Sequence, residues 1–288
     1  MPELPEVETL VRRLRPALVG QRIERAEVRW ARTIAEPSVE TFKRRVRDQT
    51  FVAVERRAKY LLFRLSGGDT LAAHLRMTGD FALCSSDTPR DPYERVRFHL
   101  SNGGVGQVDP KGFKNPSGLL FTDTRKFGRI TLTREPDALL GHLGPEPLAR
   151  AFTPLVLQKI LQDRAAPIKP FLLNQEHIAG LGNIYADEAL HYAGVHPQRP
   201  AGSLSADEIR QLHEGIRAVL RKGIRLGGST LSDGRFRDPF GRPGRMQNEF
   251  VVYHDPRRKQ KTCPRCGTRI AQMVIAQRSA HFCPGCQR

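Results

Sequence analysis

The sequence predicts an α+β chain of several domains: a two-layer β-sandwich with flanking helices, then a helical domain ending in a metal-bound β-hairpin. Three observations carry this. Residues 22–133 read as short apolar strands broken at glycines, and from Thr153 the apolar spacing becomes helical. The tail holds Cys263, Cys266, Cys283 and Cys286 as two C-x-x-C pairs 16 residues apart, a zinc-ribbon spacing and not a disulfide framework. A chain of 288 residues can build two cores.

The first helix opens the chain. Val7, Leu10, Val11, Leu14 and Leu18 recur at the spacing of one buried face, and Glu3 and Glu6 sit in the first turn, where the helix dipole favours carboxylates. Pro2 follows Met1, and removal of that Met would expose a secondary amine able to attack carbon. Free α-amino groups titrate near ~8 against ~10.4 for lysine, so more of such an amine is neutral at pH 7. On this stretch alone, an ordinary amphipathic helix with an early proline explains the pattern equally well.

Arg22–Arg32 and Phe51–Leu65 read as strands, with Lys59 inside the second, either pointing to solvent or serving as the cation that tunes the N-terminal amine. LAAHLRMTG carries His74 and Met77 to a turn at Gly79. Between the strand of Val96, Phe98 and Leu100 and the next one, Ser101–Gly118 form an 18-residue loop, long for a hairpin connection. In TDTRKFGRI, Arg125 and Phe127 stand two apart, a cation beside an aromatic plate on one side of an extended segment. Cys84 reads as a packed or free thiol.

A Pro- and Gly-bearing linker leads to Thr153-Pro154, an N-cap followed by proline at N1. Gly180-Leu181-Gly182-Asn183 is a turn whose small residues would let backbone N–H groups reach a phosphate at the next helix. Ser205 to Glu208 is a capping box. A Gly-, Arg- and Pro-rich loop over 226–249 precedes the tail, where a hairpin carries Gln277 and Arg278 at its tip. Four thiolates would fill the coordination shell of one structural zinc.

Lys and Arg outnumber Asp and Glu by 47 to 30, giving +17, which suits a polyanionic partner such as nucleic acid. There is no run of 18 apolar residues and no apolar signal region, so the expectation is a soluble intracellular protein.

Taken together, PELPEVET, RRAKYLLF, HLRMTG, DTRKFGR, IKPFLLNQ, AGLGNIYADEAL, GGSTL and HFCPGCQ resemble the bacterial formamidopyrimidine-DNA glycosylases. The resemblance implies a catalytic β-sandwich over 1–135, a linker over 136–150, a helix–two-turns–helix domain with a lesion-capping loop over 151–250, and a zinc finger over 251–288. DNA would lie in the cleft between the two main domains. It implies a base-excision enzyme that removes 8-oxoguanine and formamidopyrimidines, then cleaves the abasic site by β,δ-elimination.

Pro2 would be the nucleophile and Schiff-base former, Glu3 the acid/base, Glu6 a support for the terminus. Lys59 would contact the lesion phosphate and move protons, and Arg278 would grip phosphates and assist the second elimination. Lys169, Asn183 and Arg164 would hold the backbone, with His74 and Tyr93 as further contacts. Met77, Arg125 and Phe127 would fill the void left by the flipped nucleotide, Arg125 facing the orphaned base, typically cytosine. Monomeric behaviour and a nucleoid-associated place in the bacterial cytoplasm also follow from the resemblance.

The sequence departs from the family at DTRKFG, where Asp-Pro-Arg-Arg-Phe-Gly is common, and at Gly234, where a large aromatic is frequent. DPKGF at Asp109–Phe113 is a weaker second match to the void-filling motif. Two alternatives stay open: an endonuclease VIII-like enzyme for oxidised pyrimidines, and a non-catalytic DNA-damage binder.

Overall fold

The computed structural model describes residues 2–101, 116–254 and 262–288. Most of the long Ser101–Gly118 loop, the second motif match within it, and Met1 lie outside the described residues. The chain divides into two compact units. Among the described residues, one holds Pro2, most of 6–141 and 234–244; the other holds 3–5, 142–233 and most of 245–288.

The first unit is a two-layer β-sandwich. β1 (Arg22–Val28), β7 (Glu94–Ser101), β8 (Gly118–Asp123) and β6 (Gly79–Cys84) form one sheet in that order. The other runs β2 (Ile34–Glu36), β9 (Arg129–Thr133), β5 (Thr70–His74), β4 (Tyr60–Leu65) and β3 (Phe51–Arg57). Pairing is antiparallel except between β2 and β9. Phe63 of one sheet meets Phe81 of the other at 5.3 Å between centroids, and Phe81 meets Phe121 at 5.0 Å, so alternating aromatics weld the layers. α1 (Leu4–Leu18) buries Val7, Leu10, Val11, Leu14 and Leu18 in this core, the face its spacing predicts. α2 (Val39–Val46), capped by Ser38, was not legible in the sequence; it buries only Phe42 and Val46. The unit ends with α3 (Pro136–Leu140).

Two strand expectations change here. The Arg22–Arg32 strand stops at Val28, because Ala31–Thr33 turn into a 3-10 helix. Phe51–Leu65 is a hairpin and not one strand: Ala58 takes φ +52, and Lys59 sits in the two-residue turn. Residues 234–244, expected with the helical domain, cluster with the first unit. Phe236 is buried in its core, and Leu83 N–H donates to the Pro239 carbonyl at 3.0 Å along edge strand β6.

The second unit packs α4 (Pro154–Leu161), α5 (Ile168–Leu173), α6 (Asn183–Ala193) and α7 (Ala206–Arg225) around Leu157, Phe171, Tyr185, Leu212 and Ile216. Thr153 caps α4, and Ser205 with Glu208 closes the capping box of α7. β10 (Ala271–Ile275) and β11 (Arg278–Phe282) form the terminal hairpin. Its turn is Ala276-Gln277, both at positive φ as a two-residue hairpin requires, so Arg278 opens β11 beside the tip.

Candidate active site

Glu3 belongs to the second unit and is 2 % exposed. Its carboxylate accepts from Ile184 N–H at 2.9 Å and Tyr185 N–H at 3.4 Å, while Leu4 N–H donates to the Gly180 carbonyl at 3.1 Å. The N-terminus of α6 is therefore capped by an acid 180 positions away, the arrangement the helix dipole favours. This corrects one expectation: these two N–H groups serve Glu3 and are not open to a phosphate. Gly182, the residue before α6, leaves room for that carboxyl; a Cβ there would collide with it. Gly180 supplies φ +94 for the turn, braced by Gln175, whose side-chain oxygen accepts from Gly180 N–H at 2.9 Å.

Asn183 opens α6. Its amide nitrogen lies 3.5 Å from Ser279 Oγ, and its amide oxygen is buried without a partner among the described residues. Lys169 differs from the phosphate contact expected of it. Its ammonium sits 2.6 Å from Asp187 Oδ1, donates to the Ser279 carbonyl, and is 0 % exposed. Burial, the largest influence, holds its pKa below the usual lysine value against the opposing pull of Asp187. Asp187 also accepts from His281 N–H at 3.1 Å. Lys169 and Asp187 thus fix the backbone next to Arg278, whose own side chain is exposed. Arg164, after α4, is exposed as well.

In the first unit, Arg56 sets the turn that carries Lys59. Its Nε donates to Glu8 of α1 at 2.9 Å, and a terminal nitrogen donates to the Ala58 carbonyl at 3.0 Å. Lys59 is 5 % exposed and Glu6 is 2 % exposed, both unusually buried for charged residues. His74 ends β5 opposite Tyr60, ring centroids 4.7 Å apart. Its Nδ1 accepts from Arg76 N–H at 3.0 Å, which leaves the proton on Nε2. Burial first, then the charges of Arg76 and Lys59, push its pKa down to about 3. His74 is a neutral donor at physiological pH and not a cation.

Met77, Arg125 and Phe127 come together. The Arg125 guanidinium lies 3.1 Å from the Met77 sulfur and 4.9 Å from the Phe127 ring centre, and all three side chains are solvent-exposed. Asp123 organises their loop: it takes the Thr78 hydroxyl, Arg125 N–H at 3.0 Å and Gly128 N–H at 2.7 Å. Tyr93 is 48 % exposed, and its carbonyl accepts from Asp123 N–H at 2.9 Å. Sequence reading missed Asp123, although an Asp opening a turn is a known loop signal. It also missed Glu188, a buried acid on α6 whose carboxylate gathers the N–H groups of Val251, Val252 and Tyr253. An acid among apolar helix positions was the available sign.

The Sγ atoms of Cys263, Cys266, Cys283 and Cys286 all lie within 4.8 Å of one another. Tetrahedral zinc with Zn–S near 2.3 Å needs S···S separations of about 3.8 Å. The pairs Cys263–Cys286 and Cys266–Cys283, at 3.7 and 3.4 Å, meet that requirement without rearrangement. The donor set is that of a structural zinc with no open position. Arg265 ties this knuckle to the C-terminal end of α6 by donating to the carbonyls of His191 and Tyr192.

A sandwich bearing an exposed Met–Arg–Phe cluster, a helical unit with an acid-capped turn, and a four-thiolate finger are the parts that the sequence resemblance assigns to a multidomain base-excision enzyme. Family profiles match in the same order: the formamidopyrimidine-DNA glycosylase N-terminal domain over 1–130, its H2TH domain over 143–234, and a zinc finger found in FPG and IleRS over 260–288. A formamidopyrimidine-DNA glycosylase of Protochlamydia amoebophila is 41 % identical across the full length of both chains. One of Pelotomaculum thermopropionicum is 45 % identical, covering all of this chain and 99 % of its own. The Lactococcus lactis enzyme, in its complex with Fapy-dG-containing DNA, superposes with a TM-score of 0.86 at 35 % identity, covering 99 % of this chain and 100 % of its own. The chain belongs to the formamidopyrimidine-DNA glycosylase family.

Proposed function

We propose that this chain is a bifunctional DNA glycosylase and AP lyase for oxidised purines, acting through the amine of Pro2. The observation that carries the reading is Glu3: a buried carboxylate, fixed by two backbone N–H groups, on the residue directly after that amine. An acid so held is pre-organised for proton transfer at the sugar.

In this reading the Pro2 nitrogen bonds to C1′, the N-glycosidic bond breaks, and the base leaves with a proton. The sugar ring opens with Glu3 as acid/base, giving an iminium. Lys59 takes part in the proton transfers that let the 3′ phosphate leave, and Arg278 serves the second elimination, which releases the 5′ phosphate. Glu6 supports the terminus. Asn183, Arg164, His74 and Tyr93 contact the strand, His74 as a neutral donor. Met77, Arg125 and Phe127 replace stacking lost on eversion, an event that costs a few kcal/mol. Segment 226–249 is assigned to the everted base. Lys169 acts by supporting the Arg278 hairpin.

The sandwich, helical and finger regions are taken as the catalytic, backbone-holding and phosphate-gripping parts of a monomer. Among the described residues, no helix is long and apolar enough to cross a membrane. We place the enzyme in the bacterial cytoplasm at the nucleoid, where its substrate is. The endonuclease VIII-like alternative is not favoured, since the N-terminal and H2TH profiles and the relatives named above are those of formamidopyrimidine-DNA glycosylases.

The test is borohydride trapping on duplexes bearing 8-oxoguanine, thymine glycol or an abasic site. A covalent adduct on 8-oxoguanine that Pro2→Gly weakens or abolishes supports the reading. No adduct on any substrate refutes it, and trapping confined to thymine glycol would transfer the assignment to oxidised pyrimidines.

A further inference from the structure

Lys126 lies between Arg125 and Phe127 in sequence, yet it does not join their cluster. Its ammonium sits 4.0 Å from the ring centre of Trp30, the residue directly before the 3-10 helix. Lys126 adopts φ +62, a left-handed conformation that a lysine holds only where its surroundings impose it. Three restraints converge on this loop. Asp123 takes the N–H groups of Arg125 and Gly128. The Arg129 guanidinium donates to the carbonyls of Lys126 and Gly128 at 3.2 and 2.9 Å. The Trp30 ring takes up the Lys126 ammonium as a third hold on the loop. The indole is half-buried, and its Nε1 is enclosed without a hydrogen-bond partner among the described residues, so the ring meets Lys126 through its face and not through a polar bond.

We propose that Trp30 is a positioning residue for base eversion: by clamping Lys126, it holds the loop so that Arg125 and Phe127 are presented together to the duplex. The proposal rests on the oxidised-purine reading above. Its consequence is selectivity for the base opposite the lesion, because a wedge free to rotate loses the fixed placement of Arg125 before it loses the chemistry at Pro2.

Single-turnover excision of 8-oxoguanine opposite cytosine and opposite adenine, with incision of a preformed abasic site as control, tests this. Lys126→Met keeps the stem and removes the charge; Trp30→Leu removes the ring face; Trp30→Phe keeps an aromatic plate. We expect Lys126→Met and Trp30→Leu each to lower the cytosine-to-adenine rate ratio about fivefold, Trp30→Phe to stay within about twofold, and the Trp30→Leu/Lys126→Met double variant to be no worse than either single. Abasic-site incision should change little. Trp30 is the only tryptophan, so Lys126→Met should also change the intrinsic emission of the folded protein. An unchanged ratio in both single variants, multiplicative losses in the double, or unaltered emission in Lys126→Met overturns the proposal alone. A wild-type protein that excises no 8-oxoguanine overturns the functional reading and this proposal with it.

Discussion

Glu3 Oε1 lies 2.9 Å from the backbone nitrogen of Ile184, so the third residue of the chain caps a helix that begins at residue 183. Two substitutions separate capping from chemistry. Glu3→Gln keeps an acceptor oxygen for the α6 N–H groups but cannot carry a proton as an acid; the fold should persist while excision falls roughly 10²–10⁴-fold. Gly182→Ala keeps the acid but places a methyl against its carboxyl. Gly182 has φ −134, open to any residue, so space and not backbone strain is the obstacle. A loss of about 1–3 kcal/mol in urea unfolding is expected, with reduced excision because Glu3 must move. Full stability and activity in Gly182→Ala would show that the carboxyl has slack.

Lys169 and Arg164 should respond differently to salt. Lys169 is enclosed and pairs with Asp187, whereas Arg164 is exposed. Lys169→Met leaves Asp187 without its cation, so a stability loss of about 3–5 kcal/mol is expected. The slope of log affinity against log salt for an abasic duplex should stay the same. Arg164→Ala should leave stability within about 0.5 kcal/mol and reduce that slope by about one. A smaller slope in Lys169→Met would return Lys169 to the phosphate contacts.

The contrast between these residues marks what the sequence could and could not disclose. The α1 face, the α4 and α7 caps and the cysteine pairs were legible because each depends on spacing within one segment. The Met77–Arg125–Phe127 set came from motif resemblance, although its members are up to 50 positions apart. Lys59 was misplaced because FVAVERRAKYLLFRL contains no glycine or proline at its hairpin turn; Ala58 takes the positive φ instead. The destinations of Glu3, Lys169 and Glu188 were invisible for another reason: their partners lie from 18 to 182 positions away, fixed only by tertiary packing.

Zinc removal should act on the fold around the finger before it acts on chemistry. The finger's own core is small, consisting of Val252, Ile270 and the Cys263 and Cys283 side chains with a few flanking groups. Structural zinc contributes about 10–16 kcal/mol in finger peptides, more than such a core can replace. Chelation, or Cys283→Ser, should therefore release the metal stoichiometrically, expose the tail to proteolysis and weaken DNA binding. The sandwich should keep its melting transition. A chelated protein with an intact, protease-resistant tail would contradict a metal-dependent finger.

The pH dependence of stability should carry the signature of His74. Its folded pKa is about 3, below the ordinary 6.5, because burial and the charges of Arg76 and Lys59 oppose protonation. Between those two values the unfolded chain binds a proton at this residue and the native protein does not. The unfolded state then holds more protons, so stability rises with pH across the window and falls as the solution is acidified from 6.5 towards 3. Above 6.5 the residue contributes no slope. His74→Asn cannot titrate, yet its side-chain oxygen can still accept from Arg76 N–H in place of Nδ1. Urea unfolding at pH 7.5 and pH 5 should show a smaller acid loss in the variant, the difference approaching at most about 1.4 kcal/mol per pH unit. Equal acid sensitivity in both proteins would mean that His74 accepts a proton freely in the native state. It would then meet a DNA phosphate as a cation at acid pH, and not as the neutral Nε2–H donor its hydrogen bond to Arg76 prescribes.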